Sequence, residues 1–170
     1  MLGIGGKELS EENAAQTAKA LNIIQPDFIR VHATGIKLES KLGEFVRDGS
    51  FTLQSEEEIV IEQKLFLQQL HEMDSYYVNE HIVNLLLEVR GNLRTEKQEM
   101  LSTIDRFLTL PPDERLLFTV GRRLNIFFRL DDLKKPKLHQ KAGESLQQIL
   151  SKNPHVDFAA LYNYVRQSQI

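Results

Sequence analysis

The sequence predicts an α/β fold at its amino end that passes into a mainly helical remainder. Three successive signals predict it. Met1-Leu2-Gly3-Ile4-Gly5-Gly6 reads as the end of a buried strand running into a glycine turn. Ser10-Glu11-Glu12-Asn13 then opens an alanine-rich run over residues 14–21, and a second apolar strand, Phe28-Ile29-Arg30-Val31-His32-Ala33, follows. A strand, a helix and a strand in that order form a crossover between parallel neighbours. Buried backbone N–H and C=O groups need partners. The opening strand therefore needs further neighbours, and the chain reads as a piece cut from a larger parallel sheet.

Each element has its own signal. Ser10 is the expected N-cap of the first helix, and Glu11 and Glu12 suit the positive end of its dipole. Pro26-Asp27 punctuates before the second strand and Thr34-Gly35 ends it. A short amphipathic helix is expected over residues 41–47, stopped by Asp48-Gly49. Ser55-Glu56-Glu57-Glu58 is a capping box, in which Ser55 accepts from the Glu58 N–H while Glu58 reaches back. The three glutamates read as helix-start electrostatics, and the helix is expected to run to about His71.

Ser75-Tyr76-Tyr77-Val78 is a short β-prone run that leads into the polar cluster Asn79-Glu80-His81, and Arg90-Gly91-Asn92 breaks the chain again. Over residues 95–108 the apolar positions Met100, Leu101, Ile104, Phe107 and Leu108 share one helical face. Pro111-Pro112 separates that helix from another beginning near Asp113. Its continuation, from Gly121 to Arg129, is basic and aromatic together. Two further helices are expected near residues 137–152 and 156–167, divided by Asn153-Pro154. The expected division of the chain is 1–93 and 94–170.

Composition narrows the function. With 41% hydrophobic and 26% charged residues, the 170-residue chain has an ordinary globular make-up. A net charge of −3 argues against general nucleic-acid binding, which needs a positive field. No apolar run approaches the roughly 20 residues of a membrane span, and no secretory signal is read, so a cytoplasmic location without membrane partners is expected. The chain has no cysteine. That excludes disulfides, thiolate zinc sites, a cysteine nucleophile and an iron–sulfur cluster held by this chain in the usual way.

Several residues could carry chemistry. The Gly3-x-Gly5-Gly6 turn could bring backbone N–H groups to an anionic or adenine-containing ligand, although its spacing is not the dinucleotide fingerprint and it also reads as a plain strand-to-helix turn. Arg30 and His32 share a strand face opposite Ile29 and Val31. Asn79, His81 and Asn84 form a polar knot that either binds substrate or braces a loop. His81 with His71 and Glu72 fits no standard metal spacing, and no metal site is expected. Arg122 and Arg123, near Arg115 and Arg129, could bind a carboxylate or phosphate. Charge pairing with Asp131 and Asp132 is the simplest account of them, and Phe127 and Phe128 read as core.

The stretch Leu2-Gly3-Ile4-Gly5-Gly6-Lys7-Glu8, a helix, then Pro26-Asp27-Phe28-Ile29-Arg30 resembles the fifth strand, fifth helix and sixth strand of a radical S-adenosylmethionine (radical SAM) enzyme. Residues 75–85, followed by Gly91-Asn92-Leu93 and Glu96-Lys97, are similar to a pattern after the sixth strand in one group of these proteins. The resemblance spans roughly residues 1–133. It implies the C-terminal portion of a partial (β/α)6 TIM-like barrel followed by a mainly α-helical extension. It also implies that Gly3, Gly5, Gly6, Glu8, Arg30 and His32 adjoin the cofactor, and that Asn79, His81 and Asn84 face the substrate cavity.

Members of the family bind a 4Fe-4S cluster through a CxxxCxxC loop near the front of the barrel. They reductively cleave S-adenosylmethionine to a 5′-deoxyadenosyl radical, which abstracts hydrogen from a substrate. Neither that motif nor the first four strands is present here. The resemblance therefore implies an oxidoreductase-like fragment, inactive alone, whose partner is the missing N-terminal half. S-adenosylmethionine and 4Fe-4S would be bound by the full-length protein and not by this chain alone, and the substrate, a small molecule or peptide, is unknown. The residues also allow an alternative, a non-catalytic helical interaction module that meets an acidic partner through Arg122–Arg129.

Overall fold

Leu2 donates its N–H to the His32 carbonyl and accepts from the Thr34 N–H, making a single parallel bridge to Ala33 in the computed structural model, which describes residues 1–167. Helix α1 (Ser10–Ile24) fills the crossover, and strand β1 (Phe28–Arg30) follows it. Helices α2 (Lys41–Asp48) and α3 (Glu56–Gln69) lead to β2 (Tyr76–Val78), which pairs in parallel with β1, Ile29 opposite Tyr77. A short β3 (Gly91–Asn92) then pairs antiparallel with β2, giving the sheet order β1-β2-β3. Four helices follow: α4 (Lys97–Leu108), α5 (Pro112–Arg123), α6 (Pro136–Lys152) and α7 (Phe158–Gln167), with a 3-10 turn at Leu130–Lys134 between α5 and α6.

The chain does not form the C-terminal portion of a (β/α)6 TIM-like barrel. Helices dominate the described residues, β1 and β2 hold three residues each and β3 two, and no barrel is evident. A barrel of that kind is built from successive parallel strands, whereas β3 turns back against β2. The ladder also stops early for a local reason. Beyond Arg30, the Asn84 side chain takes the Val31 carbonyl and the Ala33 N–H that a neighbouring strand would otherwise pair. The apolar run over residues 28–33 is thus strand-like in sequence yet only half of it is strand.

The helices follow from their own patterns. In α1 the small residues Ala14 and Ala18 are buried against α3. Its N-cap is Leu9, one residue before the expected Ser10, whose hydroxyl instead donates to Glu62. The capping box at Ser55 and Glu58 forms, and α3 ends at Gln69 as Leu70 turns extended. Met100, Ile104 and Phe107 are the buried face of α4, and Pro112 starts α5 where its missing N–H costs nothing. Phe118 of α5 lies between Phe107 and Phe127, with ring centroids 5.8 and 5.9 Å away. Gly121 makes room for Phe127, because a Cβ there would stand 2.3 Å from the ring. One cluster of buried side chains runs from Leu2 through Leu93 to Ala142, on both sides of residue 93.

A charged centre joins the late helices to the early ones. Glu56, read from the sequence as helix-start electrostatics, is 3% exposed and pairs with Arg123 of α5 at 2.6 Å and with Arg166 of α7. Burial pushes the Glu56 carboxyl up, and the two guanidiniums outweigh it, holding the group below its ordinary range. Helix α7 is further tied down by Asn163, which accepts from the Ile36 N–H and donates to the Ile36 carbonyl, and by Arg166, which donates to Thr34. Arg123 thus pairs with Glu56 rather than with Asp131 or Asp132, which take Arg106, Lys134 and Lys135. Phe127 is core as expected, but Phe128 is exposed. Replacing Glu56 with Gln leaves two buried guanidiniums without their counter-charge and is expected to cost roughly 3–5 kcal/mol in urea unfolding.

Candidate functional site

Side chains alternate across β1 and its continuation. Ile29, Val31 and Ala33 are buried on one face, together with Tyr77 opposite Ile29. Phe28, Arg30 and His32 occupy the other. There Phe28 (56% exposed) and Tyr76 (43% exposed) stack with centroids 6.2 Å apart, so this face is open. His32 lies 4.1 Å from the His81 ring, and Arg30 is exposed with no acceptor among the described residues. Burial, the His81 ring, Arg30 and the terminal amine, in that order, push the His32 imidazole below its ordinary value.

Beside this face lies a hollow of about 420 Å³ lined by Tyr76, Glu80, Glu88, Arg90, Phe128 and Arg129 among others. Arg90 pairs with Glu80 across it. Glu88 accepts from the Leu130 N–H at 2.7 Å through one carboxylate oxygen, while the other is buried without a partner. The open face and the hollow share Tyr76 and offer aromatic surface next to charges of both signs.

The N–H groups of the glycine turn are engaged within the chain, as in a plain strand-to-helix turn. Gly3 donates to Glu62 at 3.2 and 3.3 Å, Gly6 to Gly3, Lys7 to Thr52 and Leu9 to Gly5. Those N–H groups are spent within the chain. Gly3 and Gly6 have φ of 81° and 63°, the left-handed region that favours glycine. A Cβ on Gly6 would meet Glu8, Thr52 and Phe51 at 2.9–3.2 Å, so its smallness serves packing against the chain's own loop. Glu8 accepts from Thr52, and that contact holds its carboxyl below the usual range.

Asn79 and Asn84 are buried braces. Asn84 accepts from the Ala33 N–H at 2.7 Å and donates to the Val31 carbonyl at 2.9 Å and the Asn79 carbonyl at 3.3 Å. Asn79 donates to Leu86 at 2.7 Å, and its own side-chain oxygen is buried without a partner. Together they hold residues 79–86 against the end of β1 and so set His81 beside His32.

Of the nine expected site residues, then, the structure gathers Arg30, His32 and His81 on the open face. It places Asn79 and Asn84 beneath, and the turn of Gly3, Gly5, Gly6 and Glu8 against Thr52 and α3. Sequence reasoning missed Glu62, which is 0% exposed and also accepts from Asn13 at 2.6 Å. The available signal was a glutamate three residues after Ile59 and four before Phe66, squarely on the apolar face of α3.

No family model matches the chain, and no curated protein or solved structure matches it. Among the described residues no helix is long and apolar enough to cross a membrane.

Two outcomes follow from this geometry. Asn84→Ala strands the buried Ala33 N–H and the Val31 and Asn79 carbonyls and is expected to lower unfolding free energy by about 3 kcal/mol in urea. His32 binds a proton less readily folded than unfolded. Its contribution is therefore full above the ordinary value of 6.5 and is lost as pH falls below it. Thermal unfolding recorded down through that range should show the loss, and His32→Gln should flatten that part of the profile.

Proposed function

We propose that this chain is one part of a radical SAM enzyme, working only when its open sheet face is completed by a cluster-bearing polypeptide. The observation that carries the reading is the one-sided sheet. Parallel strands are ordinarily covered on both faces, yet here Phe28, Arg30 and Tyr76 are exposed and His32 is half-buried, with Val78 alone packed on their side, while Ile29, Val31 and Tyr77 are packed on the other. The ordered motif series described above supplies the rest of the support, and the corrected fold removes any argument from barrel geometry.

The residues present fit part of the cofactor set. With no cysteine in the chain, the ligands of the cluster come from the partner. Arg30, exposed and without an acceptor among the described residues, suits the carboxylate of S-adenosylmethionine. His32, held neutral by its surroundings, borders Arg30 without adding a competing charge. The glycine turn contributes shape and few donors, because its N–H groups are engaged. When bound, the cofactor would supply hydrogen abstraction from the substrate. The chain's own residues bind, orient and exclude water: Phe28 and Tyr76 provide apolar cover, and Asn84 fixes the loop that presents His81. The basic–aromatic segment offers little to an acidic partner, since Arg122 and Arg123 face inward at 1% and 6% exposure.

Produced together with a polypeptide carrying CxxxCxxC, the chain is expected to associate and, on reduction, to release 5′-deoxyadenosine from S-adenosylmethionine. Arg30→Ala should lower that yield about tenfold or more while leaving thermal unfolding unchanged, as expected for loss of one charge-assisted bond. A folded pair that stays apart, or that joins and cleaves nothing, overturns the reading.

A further inference from the structure

The outer edge of β1 is unfinished in a different way from the open face, because its backbone alone specifies what is missing. Alternate residues of a parallel strand turn their N–H and C=O groups to opposite edges. Toward β2, the Tyr76 N–H donates to the Asp27 carbonyl at 2.9 Å and the Val31 N–H to the Val78 carbonyl at 3.1 Å. Phe28, Arg30 and His32 therefore present their backbone groups to the outer edge. There the Leu2 N–H takes the His32 carbonyl. Among the described residues, no backbone bond outside the β1–β2 pairing reaches Phe28 or Arg30. A strand edge left in this state is a template for another strand.

Two further observations fix the direction and the fit. Leu2 already bridges Ala33 in parallel, and the line it occupies, traced back past Met1, runs beside Val31, Arg30 and Ile29. The edge is thus set to receive a strand in one direction and one register. A side chain opposite Val31 on that line points inward, as Val31 does. At that point a hollow of about 20 Å³ opens toward α1 and α3, with Leu2, Ala14, Thr17, Val31 and Phe66 among its walls. It has room for the tip of one small apolar side chain.

We propose that the outer edge of β1 is a strand-addition site for an extended polypeptide segment of alternating small apolar residues. The segment runs parallel to β1, pairs with the backbone of Phe28 and Arg30, and sends one inward side chain into the hollow beside Val31. Main-chain bonds hold such a partner and the alternate side chain selects it. The inference goes beyond the radical SAM reading and does not draw on it.

Thr-Val-Thr-Val joined directly ahead of Met1 lays a tethered strand on the edge with its valines inward, and tethering removes the cost of bringing two molecules together. Amide exchange followed residue by residue by NMR is the readout. The Phe28 and Arg30 N–H groups are expected to exchange about fivefold more slowly than in the native chain, the factor of one net hydrogen bond. The Val31 N–H, already bonded to Val78, should change less. The peptide acetyl-Thr-Val-Thr-Val-Thr-amide is expected to protect the same two amides in the native chain and to leave the extended chain, its edge filled, untouched. Thr17→Phe caps the hollow from a half-buried helix position. It should weaken the peptide's hold about tenfold, the worth of one small buried side chain, at an unchanged unfolding temperature. Unprotected Phe28 and Arg30 amides in the extended chain overturn the proposal. So does a peptide that binds both chains alike, or that binds the Thr17→Phe chain as it binds the native one. Protection that grows with the concentration of the native chain alone makes a second copy the occupant and overturns it as well.

Discussion

The Glu56 carboxylate is the point on which the architecture turns. It stands in the first turn of α3, and the guanidiniums that meet it come from α5 and α7, 67 and 110 residues further along the chain. Removing such a carboxylate from water is costly, and its attraction to two cations repays that cost only if all three are held in register. The surrounding bonds do this: Arg166 also donates to Thr34, Arg123 also donates to Val83, and Asn163 clasps Ile36. The late helices are thereby tied to the same backbone that continues β1. The buried apolar cluster fills the space between them.

With that frame fixed, one side of the sheet is packed throughout and the other is left largely exposed at Phe28, Arg30 and Tyr76. Helices α1 and α3 pack together beneath it, and Glu62 on α3 collects Gly3, Ser10 and Asn13, setting the path by which the chain leaves the first bridge. The opposite face keeps an aromatic pair, an arginine unpaired among the described residues and two histidine rings in contact. This asymmetry makes the open face the candidate site. Its residues owe their positions to the buried asparagines below, a division in which Asn84 supplies rigidity and His32, His81 and Arg30 remain free to act.

Much of the local structure was legible. The Ser55–Glu58 capping box, the proline start of α5, the apolar face of α4 and the alternation that puts Arg30 and His32 on one side of β1 all depend on residues within a turn or two of each other. Other readings failed where distance in sequence decided the matter. Glu56 looked like a dipole partner because its guanidiniums lie far along the chain. Arg123 was assigned to nearby aspartates that turned out to have closer cations of their own. The glycines at 3 and 6 looked like a ligand cradle because smallness in a turn has the same signature whether a ligand or the chain's own loop at Thr52 fills the space.

The expected barrel failed for a related reason. An apolar strand run reports burial and extended backbone, and says nothing of how many neighbours will pair with it. The Asn84 side chain ends the ladder beside Val31 and Ala33, and β3 reverses direction, neither of which a period-two pattern contains. By itself the sequence determined the order of the helices, the Ser55–Glu58 capping box, the strand faces and the absence of thiol chemistry, since each rests on short-range geometry or on composition. Only the tertiary structure decided which charges are buried together, which face stays uncovered and where the unpaired donors lie, because those depend on contacts between residues the chain brings together from far apart.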